Sequence, residues 1–270
     1  GWTALAIPEQ HGGLGLGLVE LGLVALATGA ATAGAPFLTF GYGASQALIG
    51  SGHAELQEAW LPKLASGEAL GTVAFAEGTD PLPAAPTATF AGGKLSGAKE
   101  AVPGGLKADF AVVWARHDGQ PALVLVELAN AVRTAVDSYD NSRLYADLAF
   151  AGAPATLLLE GDAAQTLALD VLARMAVVTA HEQVGGAEAL LHIAREYAVT
   201  RKAFGQPIGA FQSIKHRIAE MYGLVEIARA NCIAAAASEG KDNFLIAAAD
   251  ARIAAPDGYV TASRACVPIH

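Results

Sequence analysis

The residues best equipped for ligand chemistry lie in one stretch, Thr200-Arg201-Lys202-Ala203-Phe204-Gly205-Gln206-Pro207-Ile208-Gly209-Ala210-Phe211-Gln212. It sets a guanidinium, aromatic rings and an amide around a Gly/Pro turn. A guanidinium can grip a pyrophosphate through paired N–H groups, an amide can hold adenine or ribose, and a phenyl ring offers a stacking face. A plain helix–helix connector punctuated by Gly and Pro is the other reading, and composition alone leaves both open.

Other motifs carry less. Gly12-Gly13-Leu14-Gly15-Leu16-Gly17 suggests a dinucleotide loop, but Glu20 stands where the third Gly of G-x-G-x-x-G belongs and no strand precedes the run. A loop with packing glycines explains it better. His192 and Glu196 are four apart, and His181 adjoins Glu182, yet neither pair has a third ligand nearby. A solvent-facing helical pair is the expectation, with no metal. Cys232 and Cys266 form no CxxC motif, and no G-x-S-x-G elbow occurs, so neither a disulfide framework nor hydrolase chemistry is expected.

Three zones must position these groups. From about 14 to 66 the chain is Ala- and Leu-rich with Gly interruptions, and reads as several helices. From about 71 to 160 short β-prone runs follow: Thr72 to Phe75, Thr87 to Phe90, Phe110 to Trp114, Ala122 to Leu128 and Thr156 to Leu159. Gly92-Gly93, Gly104-Gly105 and Asp118-Gly119 supply turns between them. Beyond about 163 helical periodicity takes over. One helix is expected over about 165 to 198; Ile214, Ile218, Met221, Val225, Ala228 and Cys232 then mark one face of the next. These two helices, joined by 201 to 213, suggest an antiparallel pair within a bundle.

Composition bounds the partners. With 17 basic and 26 acidic residues among 270 the net charge is -9, which argues against a nucleic-acid surface. Residues 21 to 54 contain no Asp, Glu, Lys or Arg, but repeated Gly and Pro36 break the run, so no membrane span is expected. The charged fraction of 16% is low, which predicts surface buried against other subunits. No secretory signal pattern opens the chain, so a cytoplasmic location is the default, and sequence upstream of Gly1 is expected.

The R-x-A-F-G-x-P-I-x-x-F-Q pattern from Arg201 to Gln212 resembles the acyl-CoA dehydrogenase family of flavoproteins. A second stretch agrees: Trp2, Ile7-Pro8-Glu9, His11-Gly12-Gly13-Leu14-Gly15, then Gly52 and Trp60-Leu61-Pro62-Lys63-Leu64-Ala65-Ser66-Gly67-Glu68. The resemblance implies a mostly α, α+β fold: an N-terminal helical domain (1–70, incomplete at its start), a middle β-barrel (71–162) and a C-terminal helical bundle (163–270, incomplete at its end). It implies FAD at a subunit interface and a homo- or hetero-tetramer. It further implies an acyl-CoA substrate dehydrogenated to a 2-enoyl-CoA in β-oxidation-type lipid metabolism, with electrons passed to an electron-transfer flavoprotein. Carried over singly, Arg201 would contact the FAD pyrophosphate of the neighbouring subunit. Phe204 and Phe211 would line its adenosine half, Gln212 would hydrogen-bond there, and Ile208 and Ile214 would be apolar wall residues.

Departures from the family pattern matter as much. The flavin loop, normally close to T-E-P-G-A-G-S-D, reads Ala76-Glu77-Gly78-Thr79-Asp80, and the G-T-K-x-W-I-T strand reads Gly97-Ala98-Lys99-Glu100-Ala101-Val102-Pro103. Ala101 replaces the aromatic, and Pro103 has neither N–H nor hydroxyl to offer. The resemblance places the catalytic carboxylate beyond His270 or, in some relatives, at the position of Met175, which cannot act as a base. Three expectations follow: a dehydrogenase whose base lies beyond His270, an accessory subunit lending FAD contacts to a catalytic partner, or a flavin-free scaffold on the same fold.

Overall fold

The computed structural model describes residues 1–34, 40–140 and 143–270. Two compact units emerge: Gly1–Leu16 with Ala35–Met175, and Gly17–Gly34 with Ala176–His270. This division differs from the three zones of the sequence, because helix α1 (Leu18–Ala30) clusters with the C-terminal helices.

In the first unit, α2 (Phe40–Ser51) and α3 (Ala54–Ser66) precede strands β1 (Gly71–Ala74), β2 (Thr89–Ala91), β3 (Lys94–Pro103), β4 (Phe110–His117), β5 (Gln120–Glu127), β6 (Val132–Val136) and β7 (Tyr145–Glu160). The sheet closes on itself in the order β4-β2-β3-β7-β5 and back to β4, with β1 added on β4 and β6 on β7. The pairings are antiparallel except where β1 and β2 meet β4. The expected turn glycines close the hairpins. Asp118 and Gly119 take φ of 47° and 83°, and Gly92 and Gly93 take 56° and 73°. Two successive left-handed residues match the twist of the strands they join.

Strands β4 and β5 are apolar on both faces, and the packing says why. Ala111, Val113, Ala115, Ala122, Val124 and Val126 fill the barrel interior. Their alternates Phe110, Val112, Trp114, Leu123 and Leu125 face a second cluster with Ala44, Ala47, Leu48, Leu61 and Leu64 of α2 and α3. Trp114 is 2% exposed and its indole N–H donates to the Pro83 carbonyl at 2.8 Å, which anchors the Pro-rich loop before β2.

The second unit contains α1, most of α4 (Gly161–Thr200), α5 (Gln212–Ala237) and α6 (Phe244–Ile269). The first turns of α4 belong to the first unit, where Ala164, Ala168 and Val171 join its core. Further along, Ala187, Leu191 and Ala194 pack with Met221 and Val225 of α5 and Ala262, Cys266 and Ile269 of α6. The predicted α5 stripe is therefore the packed face. By length and composition α4 could cross a bilayer, with a window of mean hydropathy 1.3. Its buried residues in two cores mark it instead as a helix packed within protein.

Helices α1 and α4 meet backbone to backbone. A Cβ at Gly29 would lie 1.9 Å from the Glu182 carbonyl oxygen, and one at Gly185 would lie 2.0 Å from that of Leu26. Beside them His181 is 4% exposed, its Nδ1 donating to the Val177 carbonyl at 2.8 Å. Burial holds its imidazole below the ordinary histidine range, hence neutral. The structure makes His181 part of this crossing.

Two glycine substitutions should therefore act in opposite directions. Gly185→Ala must push the helices apart and lower stability by about 1–3 kcal/mol or more. Gly223, inside α5, has open space where a methyl group would project, with no atom within 4 Å, so Gly223→Ala should add roughly 1 kcal/mol. Thermal unfolding of both variants checks the pair.

Candidate functional site

The stretch singled out by its chemistry is a small hairpin between α4 and α5. Lys202–Ala203 (β8) pairs antiparallel with Gln206–Pro207 (β9), and Ile208–Ala210 forms one 3-10 turn before α5 begins. Backbone bonds fix its base: Arg201 N–H donates to the Tyr197 carbonyl at 2.8 Å, and Ile208 N–H donates to the Arg201 carbonyl at 2.8 Å.

Its tip is unusual. Phe204 has φ of 52° and Gly205 has 80°. Glycine takes that conformation freely, whereas a side chain such as phenylalanine costs roughly 1–2 kcal/mol there. Phe204 is also 95% exposed, and its ring stands edge-on to Phe211 at 6.2 Å and 89°.

The structure divides the six predicted residues. Arg201, Phe204 and Gln212 are exposed, with Phe211 half-buried beside them. Ile208 and Ile214 are half-buried and pack against the bundle core, so they position the hairpin more than they offer a wall. Gln212 opens α5, where unpaired N–H groups and the helix dipole favour anionic groups. A guanidinium, an amide, a helix N-terminus and an exposed ring form a donor set that fits the ADP half of a dinucleotide.

The strand expected to cradle a flavin ring fits less well. The Ala101 N–H donates to Asp147 Oδ1 at 2.8 Å, with Ala101 itself at φ 48° beside a register shift in β3. The Pro103 carbonyl accepts the Thr72 hydroxyl at 2.6 Å. These groups are engaged within the unit, and Pro103 has no donor to add.

The loop before this strand is latched by an ion pair that sequence reading missed. Lys99 is fully buried and donates to Glu77 Oε1 at 2.6 Å and to the Phe75 carbonyl at 3.2 Å. Glu77 also accepts from the Thr87 N–H at 2.9 Å. Burial opposes the Glu77 carboxylate, but the bonds from Lys99 and Thr87 outweigh it and hold the group below the ordinary carboxylate range. For Lys99 burial wins, and its ammonium lies below the ordinary lysine range despite Glu77. Both residues stand in the motifs named above, but a separation of 22 positions leaves no local signal of their pairing.

Other candidates resolve plainly. Met175 packs on the first unit's core beside Gly43, where a Cβ would lie 2.5 Å from its Sδ, so a thioether occupies that place. His192 is exposed, as is Glu196, which pairs with Arg195 at 2.6 Å. The Gly12 to Gly17 run is a loop. Gly12 and Gly15 have positive φ, and a Cβ at Gly13 would fall 1.8 Å from the Ile7 carbonyl oxygen.

A family profile described as "Acyl-CoA dehydrogenase, C-terminal domain" matches residues 165–270, and one described as "Acyl-CoA dehydrogenase, N-terminal domain" matches residues 1–68. The chain is 29% identical over 278 residues to acyl-CoA dehydrogenase IpdE2 of Mycobacterium tuberculosis, covering 100% of this chain and 71% of that one. It is 32% identical over 225 residues to acyl-CoA dehydrogenase FadE28 of the same organism, covering 82% and 64%. Among solved structures, a Tcur3481-Tcur3483 steroid ACAD G363A variant superposes with a TM-score of 0.86 at 30% identity, over 100% of this chain and 74% of that one. The ChsE4-ChsE5 complex of Mycobacterium tuberculosis gives 0.88 at 28% identity, over 99% and 74%.

Two substitutions test these readings of local energetics. Phe204→Gly should relieve the turn and raise stability by roughly 1 kcal/mol, read as a higher unfolding midpoint. Glu77→Gln should strand the buried Lys99 ammonium at a cost of about 3–5 kcal/mol. Adding Lys99→Met should recover part of that loss in denaturant unfolding, because no unpaired charge remains.

Proposed function

Because the chain belongs to the acyl-CoA dehydrogenase family, we propose that it serves in the FAD-dependent α,β-dehydrogenation of an acyl-CoA thioester, with residues 201–212 holding the ADP half of the cofactor. The observation that carries this reading is the exposed set of Arg201, Phe204 and Gln212 on a hairpin strained at Phe204. Arg201 would pair with the pyrophosphate, Phe204 and Phe211 would flank the adenosine, and Gln212 would hydrogen-bond beside them. Bound FAD would supply the hydride acceptor; the reduced cofactor would pass electrons to an electron-transfer flavoprotein. The product is a 2-enoyl-CoA, and the setting is a cytoplasmic tetramer of like or paired subunits.

A second reading is favoured by a specific observation. The groups of β3 around Ala101 and Pro103 are engaged internally, and Met175 is packed where some relatives carry a base. Both facts suit an accessory subunit that lends its ADP clamp to a cofactor whose ring another chain holds. The ChsE4-ChsE5 relative is itself a complex of two different chains. The catalytic base then lies on that partner.

Arg201→Ala removes charge-assisted bonds of about 1.5–3 kcal/mol and should weaken FAD retention roughly 10–100-fold, with Gln212→Ala acting in the same direction. Unchanged flavin content and activity in the assembled enzyme would remove the clamp. Flavin per chain separates the two readings. About one FAD per chain when expressed alone supports self-sufficiency, whereas about half, and only on co-expression with a second dehydrogenase-like chain, supports the accessory role.

A further inference from the structure

Within the second unit, α4 and α5 leave a groove of about 300 Å³ between them. Leu191, 7% exposed, and half-buried Ile218 form its floor, and both are tied into the bundle core. Tyr222, 58% exposed, stands at its side. The other lining groups are polar, and the helix register sorts them by end. Glu188 lies 2.9 Å from Arg229, and both helices run back from the hairpin that joins them. Glu188, Glu226 and Arg229 therefore mark the end far from the hairpin, and His192 and Arg195 mark the near end, opposite Tyr222 and Ile218. The helical rise from Glu188 to Arg195 is about 10 Å.

The two ends differ in charge. At the far end one guanidinium serves two carboxylates, Arg229 Nη2 on Glu188 at 2.9 Å and Nε on Glu226 at 3.3 Å, so a negative charge remains in excess. At the near end Arg195 pairs with Glu196, which does not line the groove. Both of those side chains are 64% exposed, and an ion pair so screened by water is worth little. The bond to Glu196 runs through Nη1, which leaves further N–H donors for another anion. His192, three positions earlier on the same helical face, adds a ring nitrogen. An apolar floor, an aromatic side and a few convergent polar groups are the make-up of a small-molecule site. Helix packing accounts for Leu191 and Ile218, but not for Tyr222, His192 and Arg195, which stand outside the core in water.

We propose that this groove binds a small amphipathic carboxylate that carries a hydrogen-bond donor at its opposite end. The carboxylate pairs with Arg195 beside His192, the apolar body lies on Leu191 and Ile218 against the Tyr222 ring, and the donor meets Glu226. A dianion is excluded because its second charge falls against Glu188 and Glu226. A cation alone leaves Arg195 unmet.

Saturation-transfer NMR on the full chain tests the site, with para-hydroxyphenylacetate as the probe and circular dichroism to check helix content. Saturable binding in the millimolar range or tighter is expected. Para-hydroxyphenylethanol, which lacks the carboxylate, should bind roughly tenfold more weakly or worse, and phenylacetate, which lacks the donor, several-fold more weakly. Arg195→Gln should cost the carboxylate probe roughly tenfold or more and leave para-hydroxyphenylethanol unaffected. Glu226→Gln should narrow the gap between para-hydroxyphenylacetate and phenylacetate. Absence of saturable binding overturns the proposal, as does an Arg195→Gln chain that holds the carboxylate as tightly as the parent. Competition by added FAD or an acyl-CoA would put the probe in another site and overturn it equally. Flavin content is read separately by absorbance, so loss of the ADP clamp and loss of this groove are distinguishable.

Discussion

The constraint on which the structure depends is the continuity of α4, whose buried residues feed two separate cores. Ala164, Ala168 and Val171 serve one cluster, and Ala187, Leu191 and Ala194 serve the other. Contact positions along it are mostly alanine or glycine, which lets neighbouring backbones approach closely. Gly185 against the Leu26 carbonyl is the extreme case. A larger residue there would gain apolar area and lose the approach, and the loss is greater because a carbonyl cannot repack as a side chain can. The same helix ends at Thr200, immediately before the hairpin of β8 and β9. The place of Arg201 is thus set by the packing of the α4 residues that precede it.

How much the sequence disclosed follows from this physics. All five β-prone runs fall on strands, Thr72 to Phe75 on β1, Thr87 to Phe90 on β2 and Thr156 to Leu159 within β7; the continuous apolar ones, Phe110 to Trp114 and Ala122 to Leu128, stand out because each face of β4 and β5 meets apolar neighbours. Strand β6 escaped notice because Val132, Thr134 and Ala135 are exposed and show no alternation. Helix lengths were legible to within a few residues, 165–198 expected against Gly161–Thr200 observed. The clustering of α1 with distant helices was not legible, since it rests on Gly29 and Gly185, and a glycine in a helix looks locally like a defect. The stretch 201 to 213 was legible as a connector between two helices from its Gly and Pro residues. Its strain was not, because φ at Phe204 depends on Gly205 and the pairing of β8 with β9.

The Glu77–Lys99 pair shows a similar limit. A fully buried lysine costs stability unless its charge is met, and here a carboxylate and a backbone carbonyl meet it. The pair therefore adds little net stability yet fixes one arrangement of the loop between β1 and β2, since any other leaves a charge stranded. With Trp114 holding Pro83, that loop is also tied at its middle.

Whether the hairpin is merely a connector can be argued from what it costs. Joining α4 to α5 needs a tight two-residue turn, and Asn-Gly would make one without strain. The chain instead places phenylalanine at φ 52° with 95% of the residue in water, so the isolated hairpin bears both a conformational penalty and an exposed ring. Neither is required by the bundle, whose core takes Ile208 and Ile214 but not Phe204. The ring's exposure is relieved only if something flat or apolar covers it, and the strain is then offset by that contact. A flavin-free scaffold gives no reason for such a residue beside an exposed guanidinium and amide; a dinucleotide laid across the turn does.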